Sequence, residues 1–214
     1  MKKVIKNLFP ILFLSVSILS CSDDDDNDKK TLMTVENLKE AITGETGAKT
    51  KYLKFSEKAA EEGHMNISKL FKATATAENV HINNHNEVLK GLGETEYTPT
   101  PPTIDAKTTK ENLESGIEGE TYEFQTMYPN FIKTAQTDER QDAVKTFTWA
   151  RDTEKVHAEV YEYVLNLLNE KGDDSEVPGK WYVCPICGNL EYMIDGITVC
   201  EFCGNPIDKF TIFE

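Results

Sequence analysis

The sequence predicts a mainly α-helical protein: a four-helix bundle with one long crossover, followed by a small module of short strands and knuckles around four cysteines. Three observations predict it. Apolar residues recur at helical spacing over residues 34–62, 66–92, 107–136 and 138–170. A break over residues 95–105, carrying Pro99, Pro101 and Pro102, separates the first helix pair from the second and is long enough to cross the bundle. From Trp181 onward, Val, Ile, Tyr and Phe alternate with turn residues around two Cys-x2-Cys strings, the pattern of short strands beside metal knuckles.

The chain opens with Lys2, Lys3 and Lys6 ahead of an apolar run from Leu8 to Leu19, too short to span a bilayer comfortably. Residues 1–20 therefore read as a signal peptide that is removed rather than folded. The run ends Ile18-Leu19-Ser20-Cys21, similar to the lipobox of a bacterial lipoprotein, in which Cys21 is lipidated; an ordinary cleaved signal or an uncleaved anchor are the alternatives. The acidic Ser-Asp-Asp-Asp-Asp-Asn-Asp string that follows makes residues 21–33 a solvated tether, similar to export tags of surface-displayed lipoproteins. These features place the protein in the cell envelope of a bacterium, lipid-anchored to the outer membrane, with the lipid its one membrane contact.

Thr34 and Asn66 suit helix N-caps, and Gly63, Gly91 or Gly93, and Gly172 suit helix ends. Pro129 falls inside the third helical pattern, where it should kink the helix just beyond Tyr128. Helical periodicity holds over residues 34–170, is broken over the linker 171–179 by Gly172, Asp173, Asp174, Ser175, Pro178 and Gly179, and gives way to the cysteine module at 180–214. A module of that size needs metal to fold.

Two strings carry the chemistry of the bundle. Glu78-Asn79-Val80-His81 and Glu154-Lys155-Val156-His157 repeat Glu-x-x-His 76 residues apart, and residues i and i+3 share a helix face. Gly44-Glu45-Thr46 recurs as Gly119-Glu120-Thr121, and Phe71 as Phe147, so the chain reads as a tandem duplication. One Glu from the first helix and Glu-x-x-His from the second helix of each unit is the ligand set of a di-iron carboxylate bundle. Glu123, three residues after Glu120, adds a fifth carboxylate on that face. A single Glu-x-x-His is more often a solvated face, but five carboxylates and two imidazoles in a bundle interior require metal, because unpaired buried carboxylates cost several kcal/mol each.

Cys184-Pro185-Ile186-Cys187-Gly188 and Cys200-Glu201-Phe202-Cys203-Gly204 supply four thiolates from two tight turns, a tetrahedral site for iron or zinc. Gly188 and Gly204 stand where a positive φ folds backbone N–H groups toward sulfur. Two disulfides are the alternative, disfavoured because so small a loop gains little by bridging. With Cys21 set aside, no thiol is left for a structural disulfide.

In order and spacing these motifs resemble the rubrerythrin family, a ferritin-like di-iron bundle followed by a rubredoxin-like FeS4 domain, over residues 34–214. The resemblance implies that Glu45, Glu78, His81, Glu120, Glu123, Glu154 and His157 hold two irons and that Cys184, Cys187, Cys200 and Cys203 hold one iron, or zinc. It also implies that Tyr52 and Tyr128 bond to the ligand carboxylates; read alone, each is a core aromatic whose hydroxyl has found a partner. His85, one turn beyond His81, reads as a core histidine before a spare ligand, and His64 as exposed at a turn.

The activity the resemblance implies is reduction of hydrogen peroxide to water, with electrons relayed one at a time by the FeS4 centre and with Glu123 exchanging for His81 on one iron. A relay serving the bundle of another subunit would require at least a homodimer. The alternatives are an iron-binding or ferroxidase lipoprotein, and a non-catalytic zinc-binding module. A net charge of −14, or −17 once the leader's lysines are gone, makes nucleic acid an unsuitable partner. Export would also place the chain beyond the reach of cytoplasmic nicotinamide cofactors, so an envelope electron donor with a basic face, docking near residues 181–210, is expected.

Overall fold

The computed structural model describes residues 24–214, with side chains from Met33; the expected signal peptide and Cys21 lie outside the described residues. Helix α1 (Asp24–Glu61) and α2 (Met65–Gly91) form the first antiparallel pair. Gly63, at φ 88°, turns the chain between them, and its neighbour His64 sends its N–H back to Ala59 O at 2.8 Å. The third bundle helix is α3 (Thr109–Tyr122), a π turn (Glu123–Met127) and α4 (Tyr128–Thr137) run together, and α5 (Gln141–Lys171) is the fourth. A capping box, Thr108 with Glu111, starts α3, and Gly172 in the left-handed region ends α5.

Two expectations are corrected. Helix α1 begins at Asp24 rather than at Thr34. Thr34 therefore lies inside the helix, where its hydroxyl donates to Asp138 at 2.5 Å. Asn66 is not an N-cap: α2 starts one residue earlier, and Asp174 of the linker accepts from the backbone N–H groups of Asn66 (2.5 Å) and Ile67 (3.3 Å). At Pro129 the missing N–H is accommodated by the π turn, in which Tyr128 N–H reaches back to Glu123 O.

That turn keeps the duplication in register. Tyr52 follows Glu45 by seven residues, close to two full turns, whereas Tyr128 follows Glu120 by eight. The extra residue is absorbed by the π turn, so Tyr128 faces the bundle interior as Tyr52 does, and both are fully buried.

The crossover between α2 and α3 is pinned by Asn86, whose side chain accepts from Tyr97 N–H (2.8 Å) and donates to Tyr97 O (3.1 Å). Beyond the linker, strands β1 (Trp181–Val183), β2 (Leu190–Glu191) and β3 (Thr211–Phe213) form an antiparallel sheet in the order β2-β1-β3. The sheet rests on its own chain's bundle. Trp181 is fully buried in one apolar cluster with Ile67, Leu70, Val160 and Val164, and Asn84 donates to Ile186 O at 2.8 Å.

Candidate metal centres

The interior of the bundle holds two groups of donor atoms. Glu45, Glu78, His81 and Glu154 make one, and Glu78, Glu120, Glu154 and His157 the other, within each of which the donor atoms lie within 4.8 Å of one another. Glu78 and Glu154 belong to both. His81 Nδ1 stands 2.9 Å from Glu154 Oε1 and 3.1 Å from Glu78 Oε2, while His157 Nδ1 stands 2.7 Å from Glu154 Oε2 and 3.5 Å from Glu78 Oε1. Each of these two glutamates thus offers one oxygen to each side, the disposition of a carboxylate bridging two metal ions, with Glu45 and Glu120 as outer ligands.

The chemistry of the donors fits metal. Both carboxylate oxygens of Glu78 and Glu154, both ring nitrogens of His157 and His81 Nδ1 are buried and make no hydrogen bond. Atoms of that kind turned toward a common centre would be a large penalty without a cation. Burial, with the charge of Glu154 added, pushes the Glu45 carboxyl up to about 8. Burial and the charges of Glu78 and Glu154 push Glu120 up to about 7. Burial alone would lower His81 and His157 and raise Glu154, but their mutual attraction outweighs it, holding both imidazoles well above and Glu154 well below the usual range. Without metal, protons do the neutralising.

Glu123 lies outside both groups. Its side chain is half-buried, with Oε2 shut from solvent and unbonded, and burial with the charge of Glu45 holds it well above the usual carboxylate range. The tyrosines cross the pseudo-symmetric halves: Tyr52 donates to Glu120 Oε1, and Tyr128 to Glu45 Oε1. His64, expected exposed, is half-buried and precedes α2 as its cap residue. His85 is fully buried, and burial, reinforced by the nearby His81 charge, pushes it down to about 3, so the ring is neutral. Its Nδ1 lies 3.0 Å from Thr146 Oγ1 and its Nε2 3.2 Å from Tyr128 OH.

The second centre is built by two equivalent knuckles. Gly188 N–H bonds Cys184 O at 3.0 Å and Gly204 N–H bonds Cys200 O at 2.9 Å, with φ of 85° and 75° at the two glycines. Cys184 Sγ is 3.5 Å from Cys203 Sγ, and Cys187 Sγ is 3.5 Å from Cys200 Sγ, with all four within 4.8 Å. Sulfurs ~2.3 Å from a tetrahedral ion would sit about 3.8 Å apart. The set fits one four-thiolate metal ion, and all four cysteines are free of disulfides.

His81 joins the two centres. Its Nδ1 faces the carboxylates, while Nε2 lies 3.1 Å from the carbonyl of Cys187 and 2.9 Å from Thr153 Oγ1. Thr153 spends its proton on the carbonyls of Trp149 and Ala150, so Nε2 carries the hydrogen and Nδ1 the lone pair a metal would use. Gly188 is required here for a second reason beyond its φ: a Cβ there would lie 2.4 Å from His81 Nε2. Through this contact the four-cysteine module sits against the bundle of its own chain.

This architecture and these donor sets define a ferritin-like carboxylate bundle joined to a rubredoxin-like cysteine module. The chain matches the rubrerythrin family over residues 36–165. Nigerythrin of Nitratidesulfovibrio vulgaris is 40% identical over 188 residues, which are 87% of this chain and 90% of that one. Rubrerythrin-2 of Clostridium acetobutylicum is 34% identical over 184 residues, 86% of this chain and 98% of its own. The fully reduced, all-ferrous nigerythrin structure superposes with a TM-score of 0.74 at 41% identity, covering 84% of this chain and 86% of that one. A bacterioferritin of Desulfovibrio desulfuricans, 19% identical with a TM-score of 0.65, shares the fold over 72% of this chain and 91% of its own. The chain belongs to the rubrerythrin family.

Two outcomes are expected of these sites. Glu78→Ala or Glu154→Ala, removing a residue common to both donor groups, should leave the bundle unable to hold a metal pair. Glu45→Ala or Glu120→Ala should weaken one position, and Glu123→Ala should keep both metals; metal analysis after gel filtration distinguishes the three patterns. The metal-free protein should lose stability as pH rises from about 5 to 8. Glu45 and Glu120 bind protons in the folded state over that window that the unfolded chain, with carboxyls near 4.5, has already released. The raised imidazoles act in the same sense, and metal loading should abolish the trend in melting temperature.

Proposed function

We propose that the chain is a rubrerythrin-type peroxidase, reducing hydrogen peroxide to water at a di-iron centre in the bundle with electrons supplied through the four-cysteine site. The observation that carries the reading is the placement of His81, one ring nitrogen at the carboxylate cluster and the other 3.1 Å from the carbonyl of Cys187. The all-ferrous state of the nigerythrin structure supports iron as the metal. Iron held by these residues would supply the redox chemistry, two electrons for peroxide from the bundle pair and single electrons from the four-cysteine site.

The protein's own residues do the rest. Glu78 and Glu154 fix the spacing of the pair, and complete burial of Glu45, Glu78, Glu154 and His157 keeps bulk water from the centre. Tyr52 and Tyr128 hold the outer carboxylates by donating to them, which leaves the second oxygen of each free for metal. With His81 in the cluster and Glu123 standing off it, the two side chains could exchange as ligands at one metal position. The contact to Cys187 offers a delivery path within one chain, and the expected homodimer remains part of this proposal.

Replacing Cys184 and Cys187 by Ser should remove the four-thiolate spectrum and steady-state turnover. Peroxide should still oxidise the chemically reduced bundle in stopped flow; a bundle that no longer reacts would show that the two centres cannot be separated as relay and reaction site. Zinc in the four-cysteine position of anaerobically isolated protein would remove the relay from the reading.

The envelope assignment is part of the proposal: a chain lipidated at Cys21 would draw electrons from an envelope donor with a basic face. Among the described residues no helix is long and apolar enough to cross a membrane. Membrane-fraction recovery that is lost in Cys21→Ser is the expected result, and unlipidated protein in the cytoplasm would refute it.

A further inference from the structure

Reduction of one peroxide to two waters consumes two electrons and two protons, and the cluster proposed to do it is closed to solvent. On that reading of the site, we propose that Thr146, His85 and Tyr128 form a proton wire from a surface groove to Glu45. The links are short and continuous. Thr146 Oγ1 is 3.0 Å from His85 Nδ1, His85 Nε2 is 3.2 Å from Tyr128 OH, and Tyr128 OH donates to Glu45 Oε1.

The donors all point inward. Tyr128 gives its proton to a carboxylate, so its oxygen must accept from His85, which puts the ring hydrogen on Nε2. Nδ1 is then an acceptor, and Thr146 must donate to it. A proton arriving at Thr146 Oγ1 therefore displaces one onto Nδ1, one from Nε2 onto the Tyr128 oxygen and one from Tyr128 onto Glu45. One proton enters and one leaves. Rotation of the two hydroxyls and return of the ring tautomer reset the wire, and two passes supply one peroxide.

The outer end has a mouth. Thr146 lies at the edge of a groove of about 210 Å³ between α2 and α5, shared with Glu87, Asp142, Lys145 and Trp149. Glu87 and Asp142 are exposed carboxylates that can collect protons there. The duplication supplies the contrast: the 76-residue shift carries His85 onto Tyr161, whose ring packs against Tyr52 at 5.4 Å and Phe71 at 5.5 Å, with Gly116 close against it. On that half a tyrosine whose hydroxyl faces Thr74 and Tyr52 stands in place of the imidazole, so the wire departs from the repeat at its middle link.

The test uses the full chain reconstituted with zinc, which is diamagnetic, and labelled with ¹⁵N-histidine. The His85 ring should show a protonated Nε2 and an unprotonated Nδ1, and exchange of the Nε2 hydrogen with water should slow at least tenfold in Thr146→Val. Thr76→Val, which removes a hydroxyl bonded only to Lys72 O, should leave that exchange unchanged. With iron, Thr146→Val and His85→Gln should slow single-turnover oxidation by peroxide severalfold and raise its solvent isotope effect, at unchanged iron content. Unchanged exchange in Thr146→Val, or a hydrogen on Nδ1, overturns the wire. Should His85→Gln fail to fold, the near-isosteric Thr146→Val still decides. An iron-loaded wild type inert to peroxide would instead refute the peroxidase reading, and the exchange measurement would stand apart from it.

Discussion

Burying four glutamates and two histidines at the centre of a helical bundle is the constraint on which everything else in this protein depends. Glu45, Glu78, Glu154 and His157 are fully shielded from water, and His81 and Glu120 nearly so. Such groups are tolerated in an apolar interior only when each charge meets an opposite one. The protein answers with donor atoms that converge on two positions, so that cations replace the protons which otherwise neutralise Glu45 and Glu120. The bundle supplies the remaining requirement through packing. Leu38, Ile42 and Phe147 lie in one apolar cluster and Leu70, Phe71 and Tyr161 in another.

The duplication meets this constraint economically, because one helix-pair design repeated about a pseudo-twofold gives both halves of the site. Each half lends its tyrosine to the other's glutamate, Tyr52 to Glu120 and Tyr128 to Glu45, so neither half can be displaced without loosening the other. Where the halves differ, the difference has a location. The π turn before Pro129 restores the phase of Tyr128, and His85 stands where Tyr161 would be expected from the repeat. Departures of this kind inside a repeat are the natural places to look for directionality, since a symmetric site has none.

Docking of the cysteine module gives the site its other asymmetry. Only one of the two histidines, His81, is touched by a knuckle, through the carbonyl of Cys187 and the bare backbone of Gly188. The linker contributes to that fit: Asp174 accepts from the first N–H groups of α2, and the Asn66 side chain donates to Asp174 O (3.1 Å) and Val177 O (3.2 Å). Through these bonds the start of α2 and the path into β1 are fixed together, which holds the module over the turn of α2 that carries His81.

By itself the sequence determined the helical bundle, the cysteine module and the identities of the candidate ligands, because these are local: Glu-x-x-His shares a helix face, Cys-x2-Cys closes a turn, and the 76-residue repeat brings equivalent faces together. Helix starts were less legible, since α1 extends into acidic residues that composition alone assigns to a tether, and α2 is capped by Asp174 from more than a hundred residues away. Only the tertiary structure decided which atoms meet across elements. That Glu78 and Glu154 are shared, that Glu123 stands outside the cluster, that His85 links Thr146 to Tyr128, and that Gly188 must lack a side chain to let His81 approach are all contacts between residues distant in the chain. Periodicity specifies the face a residue occupies; packing alone specifies what lies opposite it.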